Sequence, residues 1–224
     1  MSEKALIGVP TYNGWVSADT AMACSQHGCE RVAWHYSKIS LLAYNFNKLL
    51  TKALNDKFDY FCLLHADVAP KERGWLKRMI GMMEEKQYKV LSLVLPITSN
   101  GLDTSTALDA IGEPRRLKMA EFPQLPVVFD GRDTKRVFNN SKLLVNTGCM
   151  LIDLRDFRPK KSWFEINDSI VQLKDGTYDA KCDPEDWNFS RMLIKNRVPY
   201  GATYAIPAIH AGQVQFTNQV VKNG

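Results

Sequence analysis

The chain has 224 residues, 45% of them hydrophobic and 24% charged, which is the composition of a globular protein with a sizeable core and excludes a disordered chain. No apolar run reaches membrane-spanning length and the start "MSEKALIGVP" lacks a signal-peptide pattern, so we predict a cytoplasmic protein without a membrane segment. The formal charge of +5 permits a nucleotide or polyanionic partner but requires neither.

Strand-like and helix-like segments alternate through the first hundred residues. Apolar runs predict strands at residues 4–14, 29–36, 58–65 and 88–97. Helical spacing predicts helices at residues 17–26, 37–55 and 72–86, with Ser17 as an N-cap. The second half is less regular, with a strand-like run at 142–154, a helix at 183–196 and a strand-like run at 200–212. This order predicts an α/β fold with a mainly parallel central sheet and helices on both faces.

The stretch "DYFCLLHADVAP" (residues 59–70) places His65 and Asp67 where a continuous apolar strand ends. Ligands of open α/β sheets bind at the carboxyl ends of strands. The two side chains point the same way because they are two residues apart, and imidazole and carboxylate groups form a partial ligand set for Mn²⁺ or Mg²⁺. Two plainer interpretations remain, in which Asp67 caps the turn or the next helix and His65 packs in the core.

Several common nucleotide and catalytic motifs are absent from the sequence. The first strand is not followed by GxGxxG, and neither GxxxxGK[ST] nor GxSxG occurs, which argues against a dinucleotide fold, a P-loop and a serine hydrolase. The five cysteines form no CxxC pair, which argues against a zinc site. If this chain binds phosphates, a metal rather than a glycine loop has to hold them.

A series of motifs in chain order resembles a known family. "PTYN" follows the first strand, "HAD" follows a buried strand, "NTGCMLI" precedes "EDW" at a helix start, and a late histidine lies in "AIHAG". In this order they are similar to the GT-A glycosyltransferases of family 2, over the chain from Ala5 to about His210. The resemblance implies a single GT-A, Rossmann-like domain over residues 1–224, with a nucleotide-sugar-binding half at about 1–100 and an acceptor-binding half at about 101–224.

The resemblance assigns the donor-binding residues. The family triplet is usually D-x-D, and its last Asp binds the divalent cation and the sugar-nucleotide diphosphate, so Asp67 inherits the metal role with Mn²⁺ or Mg²⁺. His65 replaces the usual first Asp, and His210 matches a late histidine that completes the metal site. UDP-sugars are the most frequent donors in this family, so the resemblance implies a UDP-linked donor. The loop after the first strand would line its base and ribose, through Pro10, Thr11, Tyr12 and Asn13. The second strand lacks the acidic residue that often reads uracil in this family.

The "EDW" segment carries the predicted chemistry. Two carboxylates at a helix N-terminus need no function, because the helix dipole favours them there. In inverting members of the family an acidic residue at this place deprotonates the acceptor hydroxyl, which implies Asp186 as the general base and Glu185 as the alternative base or an acceptor ligand. Trp187 is either a stacking platform or a core residue. The loop Asn146, Thr147 and Gly148 either forms the floor of the sugar and acceptor site or is a turn in a buried hairpin.

The sequence therefore predicts a metal-dependent glycosyltransferase, inverting if Asp186 is the base, that uses a nucleotide sugar and a soluble acceptor such as a glycan, a protein or a modified nucleic-acid base, with DNA as one candidate partner. Basic clusters at 113–118, 131–136 and 158–161 favour a nucleic acid only weakly, since such clusters are usually solvated loops. One alternative is a nucleotidyltransferase acting on a sugar phosphate, although "PTYNGW" lacks the expected basic residue. The other is a non-catalytic nucleotide-sugar-binding module. The sugar, the acceptor and the oligomeric state stay open.

Overall fold

The computed structural model describes residues 4–97, 102–110, 114–156, 163–211 and 215–217. These residues form strands β1 (Lys4–Thr11), β2 (Arg31–Lys38), β3 (Tyr60–Leu64), β4 (Val68–Pro70), β5 (Val90–Leu93), β6 (Asp103–Asp109), β7 (Pro114–Lys118), β8 (Val128–Asp130), β9 (Lys142–Leu144), β10 (Cys149–Asp153), β11 (Asn167–Gln172), β12 (Tyr178–Asp183), β13 (Tyr200–Thr203), β14 (Ala208–Ala211) and β15 (Gln215–Thr217). The helices are α1 (Ala18–Ser25), α2 (Leu42–Asn55), α3 (Trp75–Lys86), α4 (Gly131–Val137) and α5 (Glu185–Lys195), with a 3₁₀ helix at Met119–Gln124.

The central sheet has seven strands in the order β2-β1-β3-β10-β5-β13-β8. Strand β1 runs parallel to β2 and β3, and β5 runs parallel to β13, while β10 is antiparallel to both β3 and β5 and β8 is antiparallel to β13. Five of the seven strands therefore share one direction. The predicted α/β, Rossmann-like fold with a mainly parallel sheet is confirmed.

Helices cover both faces of this sheet, as predicted. On one face α2 and α5 bury Phe46, Leu49 and Phe189 in a core cluster that also contains Ile152 of β10. On the other face α1 and α3 bury Cys24, Trp75 and Met79 against Leu151, the neighbouring residue of β10. Alternate residues of the buried strands thus supply two cores, which is why these strands read as continuous apolar runs.

Two strand predictions were wrong in detail. The run at 142–154 is not one strand but β9 and β10, because Asn146 Oδ1 accepts a hydrogen bond from Gly148 N (3.0 Å) and closes a turn between them. The run at 200–212 likewise divides into β13 and β14, with Pro207 in the break, where proline has no N–H to donate to a ladder.

The described residues also form three smaller sheets. Their strand orders are β15-β14-β4, β7-β6-β9 and the hairpin β11-β12. Of the basic clusters, residues 115–116 lie in β7 and 131–136 begin α4, whereas 158–161 lie outside the described residues. In the described part of the chain, no helix is long and apolar enough to cross a membrane. The division into a donor half and an acceptor half stays a prediction.

Candidate functional site

The loop after β1 and the turn after β3 meet at one cleft of about 430 Å³. His65 and Asp67 line this cleft. The predicted donor-loop residues also line it: Pro10, Thr11, Tyr12 and Asn13. Pro10 and Thr11 are the buried end of the strand, whereas Tyr12 is 75% exposed. The loop is tied to the turn after β3 because Ser17 N donates to the Ala66 carbonyl (2.8 Å). The carboxyl edge of the parallel strands therefore carries a preformed concave site, as open α/β sheets generally do.

Asp67 and His210 face each other at this cleft. His210 lies on β14, which pairs with β4 directly after Asp67, and its Nε2 is 3.4 Å from Asp67 Oδ2. The other ring nitrogen, Nδ1, is 2.8 Å from the Pro96 carbonyl, so it carries the proton and donates there. Burial raises the pKa of Asp67, but the hydrogen bond and charge of His210 outweigh it and hold that pKa below its usual value.

This pair fits a divalent cation. The Nε2 lone pair of a neutral His210 would face a carboxylate, so the pair is stable either with a proton on Nε2, as the charge of His210 described above implies, or with a cation between the two groups. Metal-binding histidines typically donate their second N–H to a backbone carbonyl in this way. Among the described residues no group of three or more His, Cys, Asp or Glu side chains is arranged to hold a metal. Two protein ligands plus substrate phosphates are, however, the usual environment of Mg²⁺.

His65 lies beside this pair but is not assembled with it into a three-ligand group. Burial lowers its pKa to about 4, so the imidazole is neutral at pH 7. Its ring packs 5.5 Å from the Phe46 ring, between centroids, and its Nε2 is buried with no hydrogen-bond partner among the described residues. An unpaired buried nitrogen in a cleft wall is costly unless a bound molecule pairs with it.

The loop at residues 146–148 joins the cleft to helix α5. Gly148 accepts a hydrogen bond from His65 N (2.8 Å), and a Cβ on Gly148 would lie only 2.5 Å from Leu95 Cδ1, so glycine permits this close approach. Asn146 is 1% exposed and its side chain binds the Leu93 carbonyl (2.6 Å) as well as Gly148 N. The Asn146 side chain therefore braces the loop, and its contact with a substrate stays a prediction.

Glu185 and Asp186 open α5 next to this loop. Glu185 is 9% exposed; burial raises its pKa, and a hydrogen bond to Thr147 opposes that shift. Burial, reinforced by the negative charge of Glu185, raises the pKa of Asp186 to about 7. Asp186 Oδ1 accepts a hydrogen bond from Trp187 N (2.8 Å). A carboxyl group with a pKa near 7 can take up and release a proton at physiological pH, which is what a general base requires.

Arg116 completes this end of the site and was missed by the sequence reasoning. Its guanidinium lies 5.9 Å from the centre of the Trp187 ring, and its charge favours the ionised form of Asp186. The indole Nε1 of Trp187 is buried with no hydrogen-bond partner in the described part of the chain. The residue occurs in a cluster that we interpreted as a solvated loop; Arg116 is indeed exposed, and nothing in "EPRRLK" indicates which arginine approaches Trp187.

Trp15 was also missed. It lines the cleft beside Asn13 and is 79% exposed, a large fraction for an aromatic residue. The available signal was its position, directly after an Asn-Gly turn at the carboxyl end of the first strand.

Comparisons with known proteins show the fold and no family. No family model and no curated protein matches the sequence. Among solved structures, A197 from STIV is similar with a TM-score of 0.56 and 14% identity, covering 93% of this chain and 86% of that chain. At this identity the likeness concerns the fold alone.

Two further solved structures superpose too loosely to carry an argument. A putative glucose-1-phosphate thymidylyltransferase from Bacillus anthracis, in complex with sucrose, has a TM-score of 0.42 and 10% identity over 94% of this chain and 90% of that chain. A UDP-glucose pyrophosphorylase mutant from Leishmania major, in complex with UDP-glucose, has a TM-score of 0.32 and 13% identity over 72% of this chain and 36% of that chain.

Proposed function

We propose that this protein is a metal-dependent glycosyltransferase that moves a sugar from a nucleotide-diphosphate sugar, UDP-linked by the family resemblance, to a hydroxyl of a soluble acceptor. The observation that carries the proposal is the pairing of His210 Nε2 with Oδ2 of Asp67, a residue that lines the cleft formed by the loop after β1. Asp67 and His210 would hold Mn²⁺ or Mg²⁺, which supplies positive charge to the diphosphate as it leaves.

The donor site would use the loop after β1 for the nucleoside. The exposed rings of Tyr12 and Trp15 offer flat apolar surfaces beside the metal pair, and the unpaired Nε2 of His65 offers a hydrogen-bond partner for a donor hydroxyl. Lys38, at the end of β2, comes within 3.7 Å of where a Cβ on Gly14 would lie. The aliphatic stem of Lys38, through its Cδ, therefore passes beside the nucleoside loop, on the strand that lacks the family's acidic residue.

Asp186 would act as the general base in an inverting transfer. It takes the proton of the acceptor hydroxyl while the acceptor oxygen forms a bond to the anomeric carbon. The bond from that carbon to the diphosphate oxygen breaks, and its electron pair leaves with the nucleoside diphosphate. Arg116 favours the ionised base, Glu185 is the alternative base, and Trp187 offers an apolar surface and an unpaired N–H to the sugar or acceptor.

The alternative of a nucleotidyltransferase gains no specific support. Such an enzyme binds the phosphates of a nucleoside triphosphate with a basic loop after the first strand, and residues 10–17 contain no Lys or Arg. A non-catalytic binding module would leave the raised pKa of Asp186 without a role.

The first test is a thermal-shift titration of UDP, GDP and CMP, each with and without Mn²⁺. We expect one nucleotide to raise Tm only with Mn²⁺, by several degrees at about one hundred times its Kd. Asp67→Ala and His210→Ala should abolish this shift, whereas Asp179→Ala, an exposed carboxylate on the β11–β12 hairpin, should retain it.

A second readout separates binding from transfer. Asp186→Asn should bind the nucleotide with Mn²⁺ as the wild type does but release UDP from UDP-glucose at least about 100-fold more slowly. A rise in Tm on nucleotide addition that requires neither Mn²⁺ nor Asp67 would refute the donor site. Unchanged turnover in Asp186→Asn would refute the assignment of the base.

A further inference from the structure

A second, larger cleft of about 640 Å³ lies at the opposite edge of the central sheet. It is lined by Tyr200 at the amino end of β13, by Tyr88 just before β5, and by Asp130 at the end of the antiparallel strand β8. These positions mark the amino ends of the parallel strands, whereas the proposed donor site occupies their carboxyl ends. No residue in the described part of the chain lines both clefts.

The rim of this cleft carries an excess of positive charge. Five cations and one carboxylate line it, a net charge of +4 from fifteen residues of a chain whose formal total is +5. The cations are Lys86, Arg132, Lys135, Lys142 and Arg197. Arg132 is bound to Asp130 (Nη2 to Oδ2, 2.7 Å) and Lys86 lies 3.4 Å from Glu85 Oε1. Within the described residues, Lys135, Lys142 and Arg197 have no ion-pair or side-chain hydrogen-bond partner.

The floor is apolar and fixed in place. Leu143 and Leu193 are fully buried beneath it, and Tyr88 and Tyr200 are 7% and 9% exposed. Both tyrosine hydroxyls are already engaged, Tyr88 with Asp130 (3.1 Å) and Tyr200 with the Leu143 carbonyl (2.7 Å), so the two residues contribute a mainly apolar lining to the cleft.

Gly201 allows this floor to form. A Cβ at that position would lie 2.4 Å from the Tyr88 ring and 2.7 Å from the Phe129 carbonyl oxygen, so any side chain would displace the ring from β13. The cleft is therefore a built concavity with a rigid apolar base.

We propose that this cleft binds a small organic anion that carries at least two negative charges on an apolar or aromatic body, such as a nucleoside diphosphate. The volume lies in the range of small-molecule sites. Unpaired cations on the rim match multiple charges, and the apolar floor matches the body. A nucleic-acid strand fits less well, since single-strand sites present protruding aromatic rings along a groove, whereas Tyr88 and Tyr200 lie at the base of a cleft lined by fifteen described residues.

The test is a fluorescence-anisotropy titration with mant-ADP in the presence of EDTA, which suppresses metal-dependent binding in the donor cleft. We expect Lys135→Glu/Lys142→Glu to weaken binding at least tenfold. The matched control Lys48→Glu/Lys77→Glu changes the same charge on exposed helix lysines outside the cleft and should stay within twofold of wild type. These variants avoid α5, whose first turn carries the proposed base. Equal loss in both double variants would overturn the proposal.

Two further arms locate the probe and define the ligand. Asp67→Ala should bind mant-ADP as the wild type does, and loss of binding in that variant would place the probe in the donor cleft and overturn the proposal. Unlabelled ADP should displace mant-ADP at much lower concentration than inorganic pyrophosphate. If pyrophosphate displaces mant-ADP at the same concentration as ADP does, the ligand needs no apolar body and the proposal is overturned. If only a twelve-nucleotide single strand displaces mant-ADP, the ligand is not a small molecule and the proposal is likewise overturned.

Discussion

Asp186 is largely buried, yet its proposed role as a base requires it to carry a negative charge. Burial and Glu185 raise its pKa from 3.8 to about 7. Between these two values the folded protein holds a proton that the unfolded chain has released, so the free energy of unfolding falls as the pH rises from about 4 to about 7. At pH 8 the ionised carboxylate therefore destabilises the fold, a conflict between stability and activity that is common at active sites.

Asp186→Asn should remove this conflict. The amide keeps an acceptor for Trp187 N and carries no charge, so we expect the free energy of unfolding to rise at pH 8 by about 2–4 kcal/mol and much less at pH 5. Urea denaturation at both pH values measures the difference. Asp179→Asn, at an exposed position of β12, is the control and should change neither value by more than about 0.5 kcal/mol. An equal gain at pH 5 and pH 8 would contradict the raised pKa.

At the scale of elements, the hairpin formed by β11 and β12 differs from the rest of the fold. Ten of its twelve strand residues are exposed, including Ile170 at 78% and Tyr178 at 71%. Isolated two-stranded hairpins are marginally stable in water. Strand β3, by contrast, is buried along its whole length and lies between two partners.

We therefore expect the amides of β11 and β12 to exchange with solvent at least about 10³-fold faster than those of β3 and β10. Hydrogen exchange followed by mass spectrometry resolves the two regions as separate peptides. The proposed nucleotide and Mn²⁺ bind at β1, β3 and β14, so their addition should leave exchange in the hairpin unchanged. Protection of the hairpin comparable to that of β3 would show that its faces are covered in solution.

The sequence predicted elements correctly where the local pattern determines the structure. It failed where pairing with distant strands determines it. The hydroxyl of Ser17 caps α1 as predicted by accepting a hydrogen bond from Thr20 N (3.0 Å). The next helix was predicted from residue 37, but Ser37 and Lys38 continue β2 because they pair with Pro10 and Thr11 of β1. Likewise, an apolar run such as β10 does not reveal that it runs antiparallel to its neighbours.

The candidate site divides in the same way. The strand-end position of Asp67 follows from the local apolar run, but its contact with His210 depends on the pairing of β14 with β4, across 143 residues. The sequence placed His210 there only through the family resemblance. Arg116 reaches Trp187 from a neighbouring sheet, and no local signal predicts such a contact.

At the scale of the whole molecule, one sheet is shared by two cores. Leu151 and Ile152 are consecutive residues at the centre of β10, both fully buried, and they point into opposite cores. Trp75 reports on one core and Trp163 on the other. Because β10 contributes side chains to both cores, a substitution that destabilises either core should also destabilise the other.

Leu151→Ala and Ile152→Ala should each lower the free energy of unfolding by about 2–5 kcal/mol, in one cooperative transition. With fluorinated tryptophan, NMR follows Trp75 and Trp163 separately during urea denaturation, and we expect both signals to share one midpoint in each variant. Ile170→Ala, at the exposed hairpin position, is the matched control and should stay within about 0.5 kcal/mol of wild type. A shift of only the tryptophan on the mutated side would instead mean that the two faces of the sheet unfold as separate units.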